Sequence, residues 1–456
     1  MKYLGLGLAM ALGISLASAC SSDDAVTVVP EGPEALGGTE AALTFYGDVA
    51  PVFSAKCVAC HQAGGIAPFS LLDYEAARAR ASQIAAYTAD RVMPPFLIET
   101  GGECGSFDES QTLTQEEIDL IGAWARGGAA EGTPVSLEAP PVPTLEGGID
   151  FATPEFTPQI TGGDLAQFDE YRCFPVQTGL AADAFITGYD VLPGNPKLVH
   201  HVLALVVDPS RVVAGGRTNA EVMQGLHDAD VDPSRDGWQC FGLAGEGVDV
   251  ESVPVIWAPG EGVVSYPNGM GVPLKRDQVL VLQVHYNMAD GAASVPDTTK
   301  VRLRLADRVE RQGLFLFDDK LLESLGAPVP TTLAPGKASI KYTWERQGRE
   351  MGIPDGLPLE IVAMWPHMHQ RGNKLTFEVG KNGDFTCQGR VNRWDFNWQR
   401  IYNYSTPLAF DSDSSVRVTC DYDTSAETQP VLPGWGTRNE MCFMMMMVTM
   451  PPGFGL

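Results

Sequence analysis

Five consecutive residues near the start of the chain combine two thiols with an imidazole: Cys57-Val58-Ala59-Cys60-His61. This C-x-x-C-H spacing is typical of covalent c-type haem attachment, in which each thiol bonds one vinyl group and the histidine binds the iron. The chain has only nine cysteines and seven histidines in 456 residues, so a chance match is rare. The alternative interpretation is a disulfide or zinc pair beside an unrelated histidine.

A c-type haem that transfers electrons commonly takes a methionine as its sixth ligand. Met93, in the stretch RVMPPF, is the only methionine between Met10 and Met223. Two prolines follow it and stiffen the loop that would present its sulfur. We therefore predict Met93 as the axial ligand, with a core or loop methionine as the alternative.

Five of the remaining six histidines lie in apolar, strand-like runs. The runs are LVHHVLALVV with His200 and His201, VLVLQVHYN with His285, and VAMWPHMHQ with His367 and His369. Because side chains alternate along a strand, the imidazoles of His367 and His369 point to the same side and can bind one metal. His200 and His201 should point to opposite faces, unless the strand end twists or the rings use different nitrogens.

Imidazole ligands suit zinc, copper, iron or nickel, whereas an added thioether favours copper, because soft sulfur prefers Cu(I). The stretch NEMCFMMMMVTM, residues 439–450, offers several thioethers on a predicted strand. Core packing is the expected role of Met444–Met447 and Met450. His227, in the polar stretch GLHDADVD, is predicted to be a surface residue. The acids of this stretch alternate, but Pro233 stands where a calcium loop needs glycine, which favours a solvated turn.

Two kinds of scaffold must position these residues. Residues 43–132 have helical patterns, the clearest being LTQEEIDLIGAWARGG, in which Thr114 and Glu117 form a capping box. We predict a small all-α cytochrome c-like haem domain there, resembling known cytochromes in the order of haem motif, methionine loop and closing helix. From about residue 150, short apolar runs alternate with turns, which is typical of antiparallel β-sandwiches. A Pro-rich linker, 133–150, separates the helical region from the strand-like region.

The N-terminal residues MKYLGLGLAMALGISLASAC have the charged, apolar and small-residue regions of a signal peptide. They resemble a bacterial lipoprotein signal (1–20), in which Cys20 is lipidated, followed by a tether at 21–42. Simple cleavage and an ordinary buried helix are the alternatives. The sequence therefore predicts export to a bacterial periplasm or cell envelope, with membrane attachment only through a lipid. The formal net charge of −26 argues against a nucleic-acid partner.

The stretches VHHVL, LQVHYN, PHMH and NEMC, in this order, resemble the type II copper monooxygenases, which include peptidylglycine α-hydroxylating and dopamine β-monooxygenases. The resemblance covers about residues 160–450. It implies an electron-supplying copper on His200, His201 and His285, and an oxygen-binding copper on three further ligands, namely His367, His369 and Met441. It also implies two antiparallel, jelly-roll-like sandwich domains, 151–305 and 306–456, facing each other across an open, watery cleft.

The same resemblance implies a disulfide between Cys420 and Cys442, which would brace Met441. A second disulfide, Cys173–Cys240, is expected in the first sandwich. The sequence does not say whether Cys104 and Cys387 pair.

The expected reaction is hydroxylation of an aliphatic C–H bond of a small substrate by O2, with electrons from ascorbate or through the haem, which would need its own electron donor. In the peptide-amidating enzymes of the family, an arginine two residues before the His-x-His pair holds the substrate carboxylate. This chain has Trp365 there, which favours an apolar or aromatic substrate. Two alternatives stay open: a non-enzymatic haem and copper electron-transfer or copper-handling lipoprotein, and a binding module with structural histidines.

Overall fold

Helices are concentrated in the first part of the chain. The structure, a computed structural model, describes residues 42–62, 67–101, 103–108, 112–138, 144–160, 169–259, 261–267, 269–288, 295–316, 332–434 and 436–451. The α-helices within these ranges are α1 (Ala50–Lys56), α2 (Tyr74–Arg78), α3 (Ala81–Ala89), α4 (Gln115–Arg126) and α5 (Asn219–Asp228). A π-helical turn, Phe45–Val49, leads into α1. Helix α4 begins with the predicted capping box between Thr114 and Glu117.

The first four helices enclose a small core of their own. Phe45, Phe53 and Trp124 meet there, with ring centroids 6.1 to 6.3 Å apart. The Trp124 indole N–H donates to the carbonyl of Ala130 at 3.0 Å, so this buried polar group is satisfied. This helical core positions the C-x-x-C-H motif, which begins directly after α1.

Strands are the main regular elements of the remaining described chain. They are β1 (Ile149–Ala152), β2 (Asp169–Gln177), β3 (Ala184–Leu192), β4 (Val199–Val207), β5 (Trp238–Gln239), β6 (Ser252–Trp257), β7 (Val264–Ser265), β8 (Met270–Leu274), β9 (Val279–Asn287), β10 (Lys300–Ala306), β11 (Arg311–Leu316), β12 (Ile340–Gln347), β13 (Leu359–His367), β14 (Gly372–Lys381), β15 (Asp384–Val391), β16 (Tyr402–Phe410), β17 (Ser414–Tyr422) and β18 (Phe443–Thr449). A 3-10 turn follows β12 at Gly348–Met351.

The strands form three sheets. Two smaller sheets have the orders β5-β2-β9-β4-β6 and β12-β17-β14-β15, and the largest runs β1-β10-β3-β8-β11-β18-β13-β16, with β7 beside β3. Each pairing is antiparallel except β8 with β11, which is parallel. The Tyr189 hydroxyl on β3 donates to the Ile256 carbonyl on β6, which ties one small sheet to the large sheet. This mostly β architecture is consistent with β-sandwich domains.

Burial along individual strands shows which of them lie centrally. Strand β17 alternates between buried and half-buried residues, as expected for a strand with one covered face. Strands β9 and β18 are buried almost throughout. Met444–Met447 are part of the main core, which is the packing role predicted for them.

A segment that follows Met93 joins the main core instead of the helical core. Leu97, Ile98 and Phe107 are buried among the residues of the sandwiches. Ile98 forms a β-bridge with Val391, and Phe107 forms one with Tyr404. The helical region therefore extends an arm, residues 97–108, along β15 and β16.

The predicted signal peptide, the lipidation site Cys20 and the tether up to residue 41 lie outside the described residues. The domain boundaries near 132, 150 and 305 stay predictions. Within the described ranges, no helix has both the length and the apolar character needed to cross a membrane.

Candidate metal centres

His200 and His201 lie at the start of β4, and His285 lies near the end of the neighbouring strand β9, where the three side chains come together. One ligand atom from each lies within 4.8 Å of the others, and no other set of three His, Cys, Asp or Glu side chains in the described ranges does so. His201 is paired directly with His285 across β4 and β9. The register shifts between Val199 and His201, which is a β-bulge at His200. The bulge re-aims one side chain, and so two consecutive histidines reach one point.

The hydrogen bonds of this cluster leave ring nitrogens available for a metal. The Nε2 atom of His285 lies 3.0 Å from Asp169 Oδ1, and a carboxylate accepts, so Nε2 carries the proton. The Nδ1 lone pair of His285 then faces Nδ1 of His201 at 3.2 Å. Both ring nitrogens of His200 are buried without a hydrogen-bond partner. An imidazole buried in this way fits a metal ligand, because a cation would satisfy the nitrogen.

Burial also holds these imidazoles in the neutral form that binds metals. It lowers the pKa of His200 to about 4, and it lowers the pKa values of His201 and His285 well below their usual range. Tyr171 stacks on His285 with ring centroids 4.0 Å apart and fixes its plane. Asp169 also accepts from the Asn287 amide at 2.8 Å. Burial raises the pKa of Asp169, while its hydrogen-bond donors oppose this rise.

His367 and His369 form a second cluster at the end of β13. Their ring centroids lie 5.0 Å apart, with planes at 90°. His367 Nδ1 donates to the Gln399 side-chain oxygen, and His369 Nδ1 donates to the Asn439 carbonyl at 3.0 Å. Because these oxygens only accept, both histidines keep an Nε2 lone pair free for a metal. Burial lowers the pKa of His367 to about 4 and that of His369 well below its usual range.

Met441 lies two residues before β18, next to the strand end that carries His367. His367 is paired with Phe443, the last pair of β13 with β18. Glu440 accepts the His369 backbone N–H at 3.0 Å and that of Arg371. Burial raises the pKa of Glu440 to about 8, while these donors oppose the rise. Met441 itself is 3% exposed. Two imidazoles and a thioether form a donor set that suits copper.

The two clusters lie side by side, and the open cleft implied by the resemblance stays a prediction. Phe396 stacks on His200 with centroids 4.6 Å apart, and its ring lies 6.0 Å from that of His369. His285, His367 and His369 are at most 7% exposed. The clusters are close enough that positive charge on His367 lowers the pKa values of His200 and His285, after the larger effect of burial.

The C-x-x-C-H motif has a geometry that fits a c-type haem. Cys57 and Cys60 are the cysteines without a disulfide partner among the described residues. His61 Nδ1 donates to the Phe69 carbonyl at 3.1 Å, which leaves Nε2 free for an iron atom. Burial is the main cause of the raised pKa values of both thiols. The pKa of Cys57 rises to about 12, and that of Cys60 is also raised. Met93 is half-buried in the turn after α3, where its backbone N–H donates to Tyr87.

Three disulfides are present in the described chain. Cys173–Cys240 and Cys420–Cys442 are the pairs expected from the sequence. Cys104–Cys387, left open by the sequence, ties the arm at 97–108 to β15. The Trp344 indole donates to the Cys442 carbonyl at 3.0 Å, and the Tyr422 hydroxyl donates to the Met441 carbonyl at 2.8 Å. The Cys442 bridge and these bonds hold the backbone directly after the Met441 side chain.

Two sequence expectations near α5 need correction. His227 lies in the last turn of α5 and is half-buried, with Nδ1 2.7 Å from the Gly237 carbonyl. Asp230 is not part of a solvated turn, because its buried carboxylate forms an ion pair with Arg172 at 2.8 Å. An aspartate has two acceptor oxygens, and a buried guanidinium needs such a partner.

Four residues at the clusters were not predicted from sequence: Asp169, Phe396, Gln399 and Glu440. Asp169 is 116 residues from His285 and opens β2 opposite Asn287. Phe396 and Gln399 lie in an irregular loop. Of the four, only Glu440 could have been suspected from its sequence position. It directly precedes Met441, a predicted ligand, and an acid there is a candidate hydrogen-bond acceptor for backbone N–H groups near the metal site.

The fold and these clusters define a mostly β protein with two histidine sites suited to metal ions. Residues 337–450 match the family model of the copper type II ascorbate-dependent monooxygenase C-terminal domain. Tyramine beta-hydroxylase of Caenorhabditis briggsae is 23% identical over 262 residues, which are 55% of this chain and 40% of that protein. Dopamine beta-hydroxylase of Rattus norvegicus is 22% identical over 261 residues, or 55% of this chain and 38% of that protein.

The chain thus spans about two fifths of the length of these relatives. Together the matches show that residues 337–450 are similar to the C-terminal domain of copper type II monooxygenases, and that about half of the chain is similar to the two hydroxylases. Among solved structures, that of infectious bursal disease virus Gx strain aligns with a TM-score of 0.18 at 12% identity, over 71% of this chain and 75% of that chain. A likeness of that size carries no argument about function.

Proposed function

We propose that this protein is a copper-dependent monooxygenase that hydroxylates an aliphatic C–H bond of a small substrate with O2. One oxygen atom enters the product, the other becomes water, and two electrons are consumed. The observation that carries the proposal is the pair of adjacent histidine clusters, with ring nitrogens of each left available for a metal. Burial keeps these nitrogens unprotonated, as metal binding requires.

Each histidine cluster would provide the ligands of one copper ion. His200, His201 and His285 would hold an electron-supplying copper, with Asp169 orienting His285. His367, His369 and Met441 would hold an oxygen-binding copper, where the thioether favours Cu(I). Copper bound in these sites supplies two one-electron couples and a position for O2. The role of Gln399 and the Asn439 carbonyl is to keep the His367 and His369 protons on Nδ1.

The C-x-x-C-H motif supports a second source of electrons beside ascorbate. Cys57 and Cys60 would carry the covalent haem, with His61 and Met93 as the iron ligands. A c-type haem supplies one electron at a time, which matches the needs of a copper site. Its own reductant would be an external electron donor.

Trp365 supports an apolar or aromatic substrate. Its indole stacks on His367 with centroids 5.0 Å apart, and its N–H is buried without a hydrogen-bond partner. This indole offers a surface for stacking and one neutral donor, where an arginine would offer a charge for a carboxylate. The proposal therefore excludes a peptidylglycine-like acid as the preferred substrate.

Export to the periplasm or cell envelope, with a lipid on Cys20, completes the proposal. It is supported by the three disulfides, which indicate an oxidising compartment.

Metal analysis, a visible spectrum and oxygen uptake with a reductant test this function together. We expect two copper ions and one haem per chain, and oxygen uptake that Met441→Ile abolishes while the haem spectrum persists. Met450→Ile, a matched change at another buried methionine, should leave uptake intact. Normal turnover in Met441→Ile would contradict the assignment. Copper and haem without any oxygen uptake by the wild-type protein would favour an electron-transfer or copper-handling lipoprotein instead.

A further inference from the structure

We propose that Thr437 positions the first copper centre, which is the site of His285, although it lies only four residues before Met441 of the second centre. The acting group is the Thr437 backbone N–H, which holds the Asp169 carboxylate in place. This inference rests on the proposed function and adds a positioning residue to it. The resemblance places the ligands of each copper within one sandwich. Here the first centre also depends on the segment that carries a ligand of the second.

Asp169 connects His285 to Thr437 through its two carboxylate oxygens. Its Oδ1 accepts the His285 Nε2–H at 3.0 Å, and its Oδ2 accepts the Thr437 backbone N–H at 3.3 Å. Asp169 and Thr437 are 268 residues apart in the chain, and each is 2% exposed. Bulk water has little access to this contact, so solvent would not make up for the loss of the N–H. The orientation of the carboxylate toward His285 therefore depends on Thr437.

Thr437 is the second residue of a tight turn whose last residue contacts the second centre. The turn, residues 436–439, is closed by the Asn439 N–H, which donates to the Gly436 carbonyl at 2.8 Å. The Asn439 carbonyl in turn accepts from His369 Nδ1 at 3.0 Å. One four-residue turn thus contacts the outer carboxylate of the first centre and a ligand of the second.

The second centre has bonds of its own that do not involve the Thr437 N–H. Glu440 accepts the His369 backbone N–H at 3.0 Å, and its own N–H donates to the Leu432 carbonyl at 3.0 Å. Proline is favoured at the second position of such a turn, because the N–H of that residue does not close the turn. Thr437→Pro should therefore remove the donor to Asp169 and leave the His369 contacts in place.

The test measures the Cu(II) affinity of each centre separately, by competition with a chelator in the full-length, haem-containing protein. His367→Ala leaves the first centre with its full ligand set, and His200→Ala does so for the second. In the His367→Ala protein, we expect Thr437→Pro to weaken Cu(II) binding about ten-fold or more and to change the copper hyperfine splitting in the EPR spectrum. Thr437→Val keeps the backbone N–H and should bind Cu(II) as the parent protein does. In the His200→Ala protein, Thr437→Pro should leave the affinity unchanged.

This selectivity separates a positioning role from a general structural one. Equal weakening at both centres would mean that the proline disturbs the whole region, and an unchanged first centre would mean that the N–H has no role. Either result overturns the proposal. In an Asp169→Ala background, Thr437→Pro should add no further loss at the first centre, because Thr437 acts through that carboxylate. An additive loss would contradict the assigned route.

A second measurement needs no change at Thr437 and so covers the case in which Thr437→Pro does not fold. Hydrogen–deuterium exchange of a peptide spanning residues 436–440 is followed in the His367→Ala protein with and without Cu(II). We expect slower exchange when copper fills the first centre, because a fixed His285 fixes Asp169 and its bond to the Thr437 N–H. Unchanged exchange would overturn the proposal. A wild-type protein that binds no copper would refute the proposed function itself, whereas two bound copper ions without these effects would refute only the role of Thr437.

Discussion

His201 and His285 face each other across neighbouring strands with their Nδ1 atoms 3.2 Å apart, although 84 residues separate them in the chain. The two facing Nδ1 atoms cannot both carry a proton at this distance, so the pair needs either one shared proton or one shared cation. His200 closes the third side of this group, because the β-bulge turns it toward the same point.

Removing one member of this group should therefore remove one metal ion. We expect His285→Ala to reduce copper from two ions to one per chain, while the haem absorbance remains. Mass-spectrometric metal analysis of the purified protein measures both outcomes. His227→Ala is the matched control, since His227 lies in α5 outside both clusters. Unchanged copper in His285→Ala would contradict the ligand assignment.

Asp169 should tune this centre without contacting the metal. Its carboxylate keeps the His285 proton on Nε2, and Asp169→Asn weakens that acceptor while preserving the shape of the side chain. We expect the affinity of the first copper centre to fall about ten-fold to a hundred-fold. Titration against a competing chelator measures this affinity. An affinity equal to that of the wild type would show that the Asn287 and Thr437 contacts of Asp169 are its only role.

Glu261 should make stability depend on pH. Burial raises its pKa to about 7, with Arg400 and the Ile401 N–H opposing, and one of its oxygens is buried without a partner. Between the unfolded value near 4.5 and this value, the folded state holds a proton that the unfolded state has released. The free energy of unfolding therefore falls as pH rises through this window.

Glu261→Gln removes this titration because the amide stays neutral. We expect the variant to be more stable than the wild type by about 2 kcal/mol at pH 8 and to show little difference at pH 4.5. Urea unfolding at the two pH values gives both numbers. An equal difference at both pH values would mean that the carboxylate does not titrate in this range.

The Asp230–Arg172 ion pair should be a major contributor to stability. Both side chains are fully buried, and Arg172 also donates to the Asp236 and Arg235 carbonyls. Asp230→Asn would leave a buried guanidinium without its counter-charge, and we expect a loss of about 3 kcal/mol or more. Asp228→Asn, an exposed change two residues earlier, should cost about 0.5 kcal/mol or less. Denaturant unfolding of both variants checks this, and equal midpoints would contradict it.

Much of the chemistry could be predicted from local sequence, since it depends on spacing over a few residues. The C-x-x-C-H motif, the His-x-His pair and the capping box of α4 all depend on geometry that neighbouring residues set. The alternating runs predicted the β character of the chain after residue 150. The family resemblance predicted which histidines share a copper site, and it predicted the Cys420–Cys442 disulfide.

Other features depend on contacts between distant parts of the chain, and only the tertiary structure decided them. An ideal strand separates His200 from His201, and the β-bulge that brings them together arises from the pairing of β4 with β9. Asp169 and Gln399 reach the clusters from other elements, with no local pattern to mark them. The sequence by itself identified the side chains that we propose to bind metal and haem. The packing of the sheets decided that the two histidine clusters are buried side by side, because only folding brings Phe396 between rings from opposite halves of the chain.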